Sequence, residues 1–152
     1  MFGKKLSEYI RFDLWILALI AVVFAARFVT SQSGTPFVTT RWISINLVLF
    51  VGMVYSAVAV HTSNFGRYKQ LFGLLLIQSV FAHILIACAI ILAIVTDTSN
   101  IYTVPEVSGG DVGTTWIHVF AHLILAGPLV ALFNWGLGSL ILLVTRKLQP
   151  KT

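Results

Sequence analysis

Four long apolar runs decide what this chain can fold into. They extend from Leu14 to Val29, Trp42 to Val60, Leu71 to Val95 and Trp116 to Val144. A helix needs roughly 20 residues to cross the hydrocarbon core of a bilayer. The second and third runs reach that length, and the first reaches it with its flanks. The fourth exceeds it and must tilt, kink or project beyond the bilayer. None alternates as a strand would, and lipid admits only helices and closed barrels, because every backbone polar group must be satisfied internally. The chain therefore reads as all-α, an integral membrane four-helix bundle. Its first two connections are short, which predicts antiparallel up-down order. The expected spans are approximately 12–30, 42–61, 70–95 and 115–145, with loops 31–41 and 96–114 on one side and 62–69 on the other. All 152 residues form a single transmembrane domain on this reading.

Charge gives the orientation. Only 10% of residues are charged, against about 25% in soluble domains, so position matters more than number. Lys4, Lys5, Arg11, Arg67, Lys69, Arg146, Lys147 and Lys151 fall on one side of the expected spans, and only Arg27 and Arg41 on the other. The positive-inside rule then predicts that both termini and the 62–69 loop are cytoplasmic. The localisation expected is the inner membrane of a bacterium, with the lipid bilayer as principal partner. The net charge of +5 does not indicate nucleic acid, because the basic residues flank apolar runs and form no patch. The first run is expected to stay as a span, not to act as a signal peptide. Glu8 and Asp13 make its lead-in mixed in charge, and no small-x-small cleavage site follows cleanly. The single cysteine, Cys88, excludes a disulfide within the chain.

Polar groups inside membrane helices are costly and therefore informative. His118 and His122, in "WIHVFAHL", are four residues apart, so a helix stacks them on one face. That face would continue through Leu125, Leu129, Phe133 and Gly136. Such spacing suits two imidazoles on one metal ion, with Glu106 and Asp111 of the preceding loop as oxygen donors. The pair lacks the helical glutamate of the zinc-protease pattern. Gly127–Pro128 follows, and proline predicts a kink below the pair. His83 sits near the middle of the third run, as an interhelical hydrogen-bonding group, a haem or metal ligand, or part of a proton path. Asn46 is placed as a hydrogen-bond partner for one histidine of the fourth span. Arg27 is read as snorkelling, as pairing with Glu106 or Asp111, or as holding an anionic group such as a haem propionate. His61 reads as a solvated cap at a helix C-terminus. Small residues form candidate packing stripes: Ala18, Ala21, Ala25 and Ala26 on the first span, and Ser44, Gly52 and Ser56 on the second.

Haem b between two helices needs ligands at similar depth. At ~1.5 Å per residue, His83 lies roughly 20 Å from the end of its span and His122 about 10 Å from the end of its own. That mismatch argues against a His83–His122 haem clamp. No span carries a carboxylate well inside its apolar run, which argues against a proton-coupled transporter. No Ser-His-Asp set falls at one depth, so the reading leans away from an enzyme. Three functions stay open. The first is a membrane protein that holds a metal ion or haem b near the outer face through histidines of the fourth span. The second is a non-catalytic auxiliary or structural subunit of a larger membrane complex. The third is an oligomeric channel or small transporter. The partners expected are other membrane proteins or further copies of the chain.

Overall fold

The computed structural model describes residues 1–108 and 113–148. Among the described residues every element is helical: α1 (Leu6–Gln32), α2 (Phe37–Thr40), α3 (Ile45–Thr62), α4 (Tyr68–Thr96), α5 (Pro105–Ser108) and α6 (Trp116–Phe120), then a π-helical segment (Ala121–Ala126) and α7 (Gly127–Leu148). Four stretches are long and apolar enough to cross a membrane: Leu6–Gln32, Phe37–Thr62, Tyr68–Thr96 and Trp116–Leu148.

Local chemistry sets the helix ends. Ser44 Oγ accepts from Leu47 N at 3.4 Å and opens α3, and Thr115 Oγ1 accepts from His118 N at 3.3 Å and opens α6. Each satisfies a backbone donor that the first turn would leave free. At the end of α4, Asp97 takes a left-handed conformation, φ 53°. A short polar side chain tolerates that conformation, which stops the helix.

α4 lies at the centre and packs against α1, α3 and α7. The inward face of α1 is Tyr9, Asp13, Ile16 and Ile20, spaced as one helical stripe. The alanines expected to bring α1 close to its neighbours are elsewhere: Ala18, Ala25 and Ala26 are exposed. On α3 the buried face includes Val48, Gly52 and Ser56 together with Met53, Ala57 and His61. His61 is thus buried, not solvated as its position at the helix end suggested. Two apolar clusters fill the bundle. Ile16, Ile20, Leu49 and Ile90 build one together with Tyr102, and Tyr9, Met53, Leu71 and Leu142 build the other.

The connection after α4 folds back along the bundle. Asn100 Nδ2 donates to Ala89 O at 2.7 Å, and Ile101 and Tyr102 are buried in the core. Gln32 Nε2 donates to Ser99 O at 3.3 Å, so α1 also reaches this end, here termed the loop end. At the far end, Gln70 Nε2 donates to Phe2 O at 2.7 Å, and Trp135 Nε1 donates to Tyr68 O at 2.9 Å. Gly113 is required where the connection returns to α6, because a Cβ there would collide with the backbone carbonyl of Thr103.

The π-helical segment changes the register of the fourth span. The inward face of α7 is Gly127, Ala131, Asn134, Gly138 and Leu142. Continued upward at α-helical spacing, that face would pass through Ile124 and Phe120, yet both are exposed. Val119 points inward instead, and His122 is partly buried. The wider π turn absorbs one extra residue and rotates the upper part of the helix relative to the lower. Pro128 accounts for its position: with no N–H, it leaves carbonyls one turn earlier without their helical donor. The expected continuous face is therefore broken. Leu125, Leu129 and Phe133 are 58%, 61% and 68% exposed, while the histidines turn toward α4.

Candidate functional site: two polar clusters in the bundle

The first cluster joins three histidines. His118 and His122 lie with ring centroids 4.9 Å apart, and His122 packs on His83 at 5.3 Å with the planes tilted by 33°. Depth counted along each span separates His83 from His122, whereas the structure brings them together. The reason is the fold-back of the connection: Asn100 is fastened beside Ala89, so the fourth span begins below the end of α4, not level with it. At 5.3 Å between centroids the two rings are in contact.

The hydrogen bonds assign the tautomers. His83 Nδ1 lies 2.8 Å from Ser79 O, and His118 Nδ1 lies 2.9 Å from Gly113 O. A carbonyl oxygen only accepts, so both rings carry hydrogen on Nδ1. In the neutral state each then keeps a bare Nε2. His122 Nε2 lies 3.1 Å from His118 Nε2 and must be the donor of that pair. His122 Nδ1 is left as a buried acceptor without a partner. Below the rings, Ser79 Oγ donates to Gly127 O at 2.8 Å, which ties the end of the π-helical segment to α4.

The second cluster lies nearer the far end and joins α1, α3 and α4. Gln78 Nε2 donates to Asp13 Oδ1 and to Ser56 Oγ, both at 2.9 Å. Asp13 is 0% exposed and Gln78 1%. No carboxylate is expected well inside an apolar run, and Asp13 does stand just before the first one, yet it is buried within the helix. Asp13 falls seven residues inside α1, because the helix starts at Leu6, well before the apolar run. Asp13 Oδ2 and Gln78 Oε1 have no hydrogen-bond partner. A buried hydrogen bond returns about 0.5–1.5 kcal/mol, and an orphaned buried acceptor costs about 1–3 kcal/mol. With two bonds made and two acceptors left without a donor, the cluster adds little to stability. The clusters draw on consecutive residues of α4, Gln78 and Ser79, whose side chains point about 100° apart toward different neighbours.

Gly52 makes room for the second cluster. A Cβ at this position would lie 2.6 Å from Gln78 Oε1 and 2.9 Å from Ile16 Cγ2. Gly52→Ala is expected to displace the Gln78 amide and to destabilise the bundle by about 1–3 kcal/mol. A thermal melt of the variant beside the wild type in detergent checks this, and an unchanged midpoint would refute the packing described.

The other expected site residues are dispersed. Arg27 lies over the ring of Tyr102 at 5.3 Å, and its Nε is buried without a partner. It thus engages an aromatic face, a cation–π contact, and among the described residues it forms no salt bridge to Glu106. Burial pushes the Tyr102 phenol up to about 12, against the opposing pull of the Arg27 charge. Asn46 is exposed and, among the described residues, makes no hydrogen bond to a histidine, so it is not the partner that its depth suggested. Glu106 is exposed on α5, and Asp111 lies outside the described residues. Among the described residues no group of three or more His, Cys, Asp or Glu side chains is placed to hold one metal ion. Sequence reasoning missed Asp13, although its place in the Tyr9–Asp13–Ile16–Ile20 stripe was a usable signal. Comparison with protein families, curated proteins and solved structures finds no match for this chain.

Proposed function

We propose that this membrane protein carries protons through the interior of its bundle, and that His118, His122 and His83 form the relay at the loop end. The observation that carries the reading is the direct ring-to-ring hydrogen bond, His122 Nε2 to His118 Nε2 at 3.1 Å, beside the unpartnered His122 Nδ1. Imidazole suits the task because it accepts a proton at one nitrogen while it releases one from the other. A proton that arrives at His122 Nδ1 makes an imidazolium, which passes its Nε2 proton to His118 Nε2. His118 then releases its Nδ1 proton toward the loop at Gly113. One proton enters and one leaves at each ring, and the rings reset by exchanging tautomers. His83, held by Ser79 O and with its ring centroid 5.3 Å from that of His122, is the next group of the relay. In the orientation favoured by the basic residues, the loop end faces outward and both termini are cytoplasmic.

The test is nitrogen NMR of protein labelled at histidine and held in lipid nanodiscs. The reading expects N–H···N coupling between residues 118 and 122, with His118 and His83 protonated on Nδ1. A stoichiometric metal retained through purification, with both Nε2 atoms ligated, would contradict it.

A further inference from the structure

The buried carboxyl of Asp13 has no role in the histidine relay, and its surroundings identify what it binds. Asp13 Oδ1 receives one N–H from Gln78, and Oδ2 receives none. Gln78 Oε1 is likewise without a donor. Ser56 faces Asp13's partner Gln78 from α3, and neither group carries charge. On the inward faces nearer the far end, Tyr9 follows on α1 and His61 on α3. The one ion pair among the described residues joins Lys4 to Glu8 on the exposed start of α1, so it does not neutralise Asp13. A carboxylate with one neutral donor in a dry interior is uncompensated.

We propose that Asp13 binds a proton, and that this site is the inner station of the proton route that the histidines begin. The carboxyl takes up H⁺ on an oxygen and gives it back, with no other bond made or broken. Proton binding supplies the missing donor to the cluster. Among the described residues, a metal cation would find only two unpartnered oxygens here, Asp13 Oδ2 and Gln78 Oε1, against the roughly six or more that hard cations take. Gly52 leaves room for Gln78 Oε1 to pack against α3. The position of the site in a route rests on the proton reading of the histidines, whereas proton binding itself does not.

The experiment combines infrared spectroscopy with proton flux. The chain has five Asp and Glu residues, so isotope-labelled aspartate resolves the carboxyl bands. The proposal expects a protonated carboxylic C=O band at neutral pH that is lost in Asp13→Asn. Only ionised aspartate bands in the wild type would overturn it, as would loss of the band on adding sodium at fixed pH. The wild-type spectrum decides this even where the variant fails to fold. In vesicles, Asp13→Asn is expected to lower proton flux at least tenfold relative to wild type. Full flux in the folded variant would overturn the route through Asp13 and leave the histidine reading standing. Absence of flux in the wild type would overturn the histidine reading and the route together, with the band still deciding proton binding.

Discussion

Replacing His122 with leucine is expected to reduce proton flux through vesicles containing the protein by about 10²-fold or more, the scale on which a positioned proton-transfer group acts. His122 is the ring in contact with both neighbours: its Nε2 meets His118 and its face meets His83. Its Nδ1 is buried and makes no hydrogen bond, so it is the atom of the ring left to take up a proton. Leucine keeps the volume and the helix, so loss of flux would not reflect a cavity. The measurement is the decay of an imposed pH gradient, read by a dye trapped in the vesicles and compared at equal protein content. A fall of less than about threefold would show that protons bypass this ring, far short of the effect expected of a positioned transfer group.

Inserting one alanine after Ile124, in the π-helical segment, is expected to have an effect as large without touching any histidine. The segment Ala121–Ala126 already absorbs one residue more than α-helical turns hold, which keeps the upper helix turned toward α4. A further residue turns everything before it by about 100°. His118 and His122 remain four apart and still meet each other. They rotate away from His83, however, onto the face that Leu125, Leu129 and Phe133 expose. Flux is expected to fall at least tenfold, and the His83–His122 ring contact to vanish from NMR spectra. Ile124→Ala preserves the residue count and is expected to retain flux near the wild-type level, since Ile124 is exposed. Equal losses in the two variants would show that the side chain matters, not the register.

Much of this architecture was legible in the residues. The four apolar runs identify helices, Thr115 marks the start of the fourth, and Pro128 marks its disturbance. Of the stripe Ser44, Gly52 and Ser56, the last two face inward as their small side chains suggest, while Ser44 is half-buried at the helix cap. The histidine cluster was half legible. Four-residue spacing pairs His118 with His122, but depth counted along each helix separated them from His83. That count assumed that neighbouring spans begin level, and the fold-back held by Asn100 and Tyr102 is a tertiary feature that no helical period reveals. The extra π residue was hidden for a related reason. Periodicity continues through Leu125 and Leu129 on paper, and only the packing of α7 against α4 shows which face is inward. Asp13 was overlooked because hydropathy places it before the apolar run, although α1 begins a further two turns earlier. Its spacing from Tyr9, Ile16 and Ile20 recorded its burial more faithfully than hydropathy did.

The central claim is that protons pass through the bundle, and wild-type protein in sealed vesicles tests it most directly. With a pH gradient imposed and potassium with valinomycin clamping the voltage, the account predicts a proton flux proportional to protein content and above that of empty vesicles. A flux no greater than in empty vesicles, with the protein shown to be folded and inserted, would contradict it.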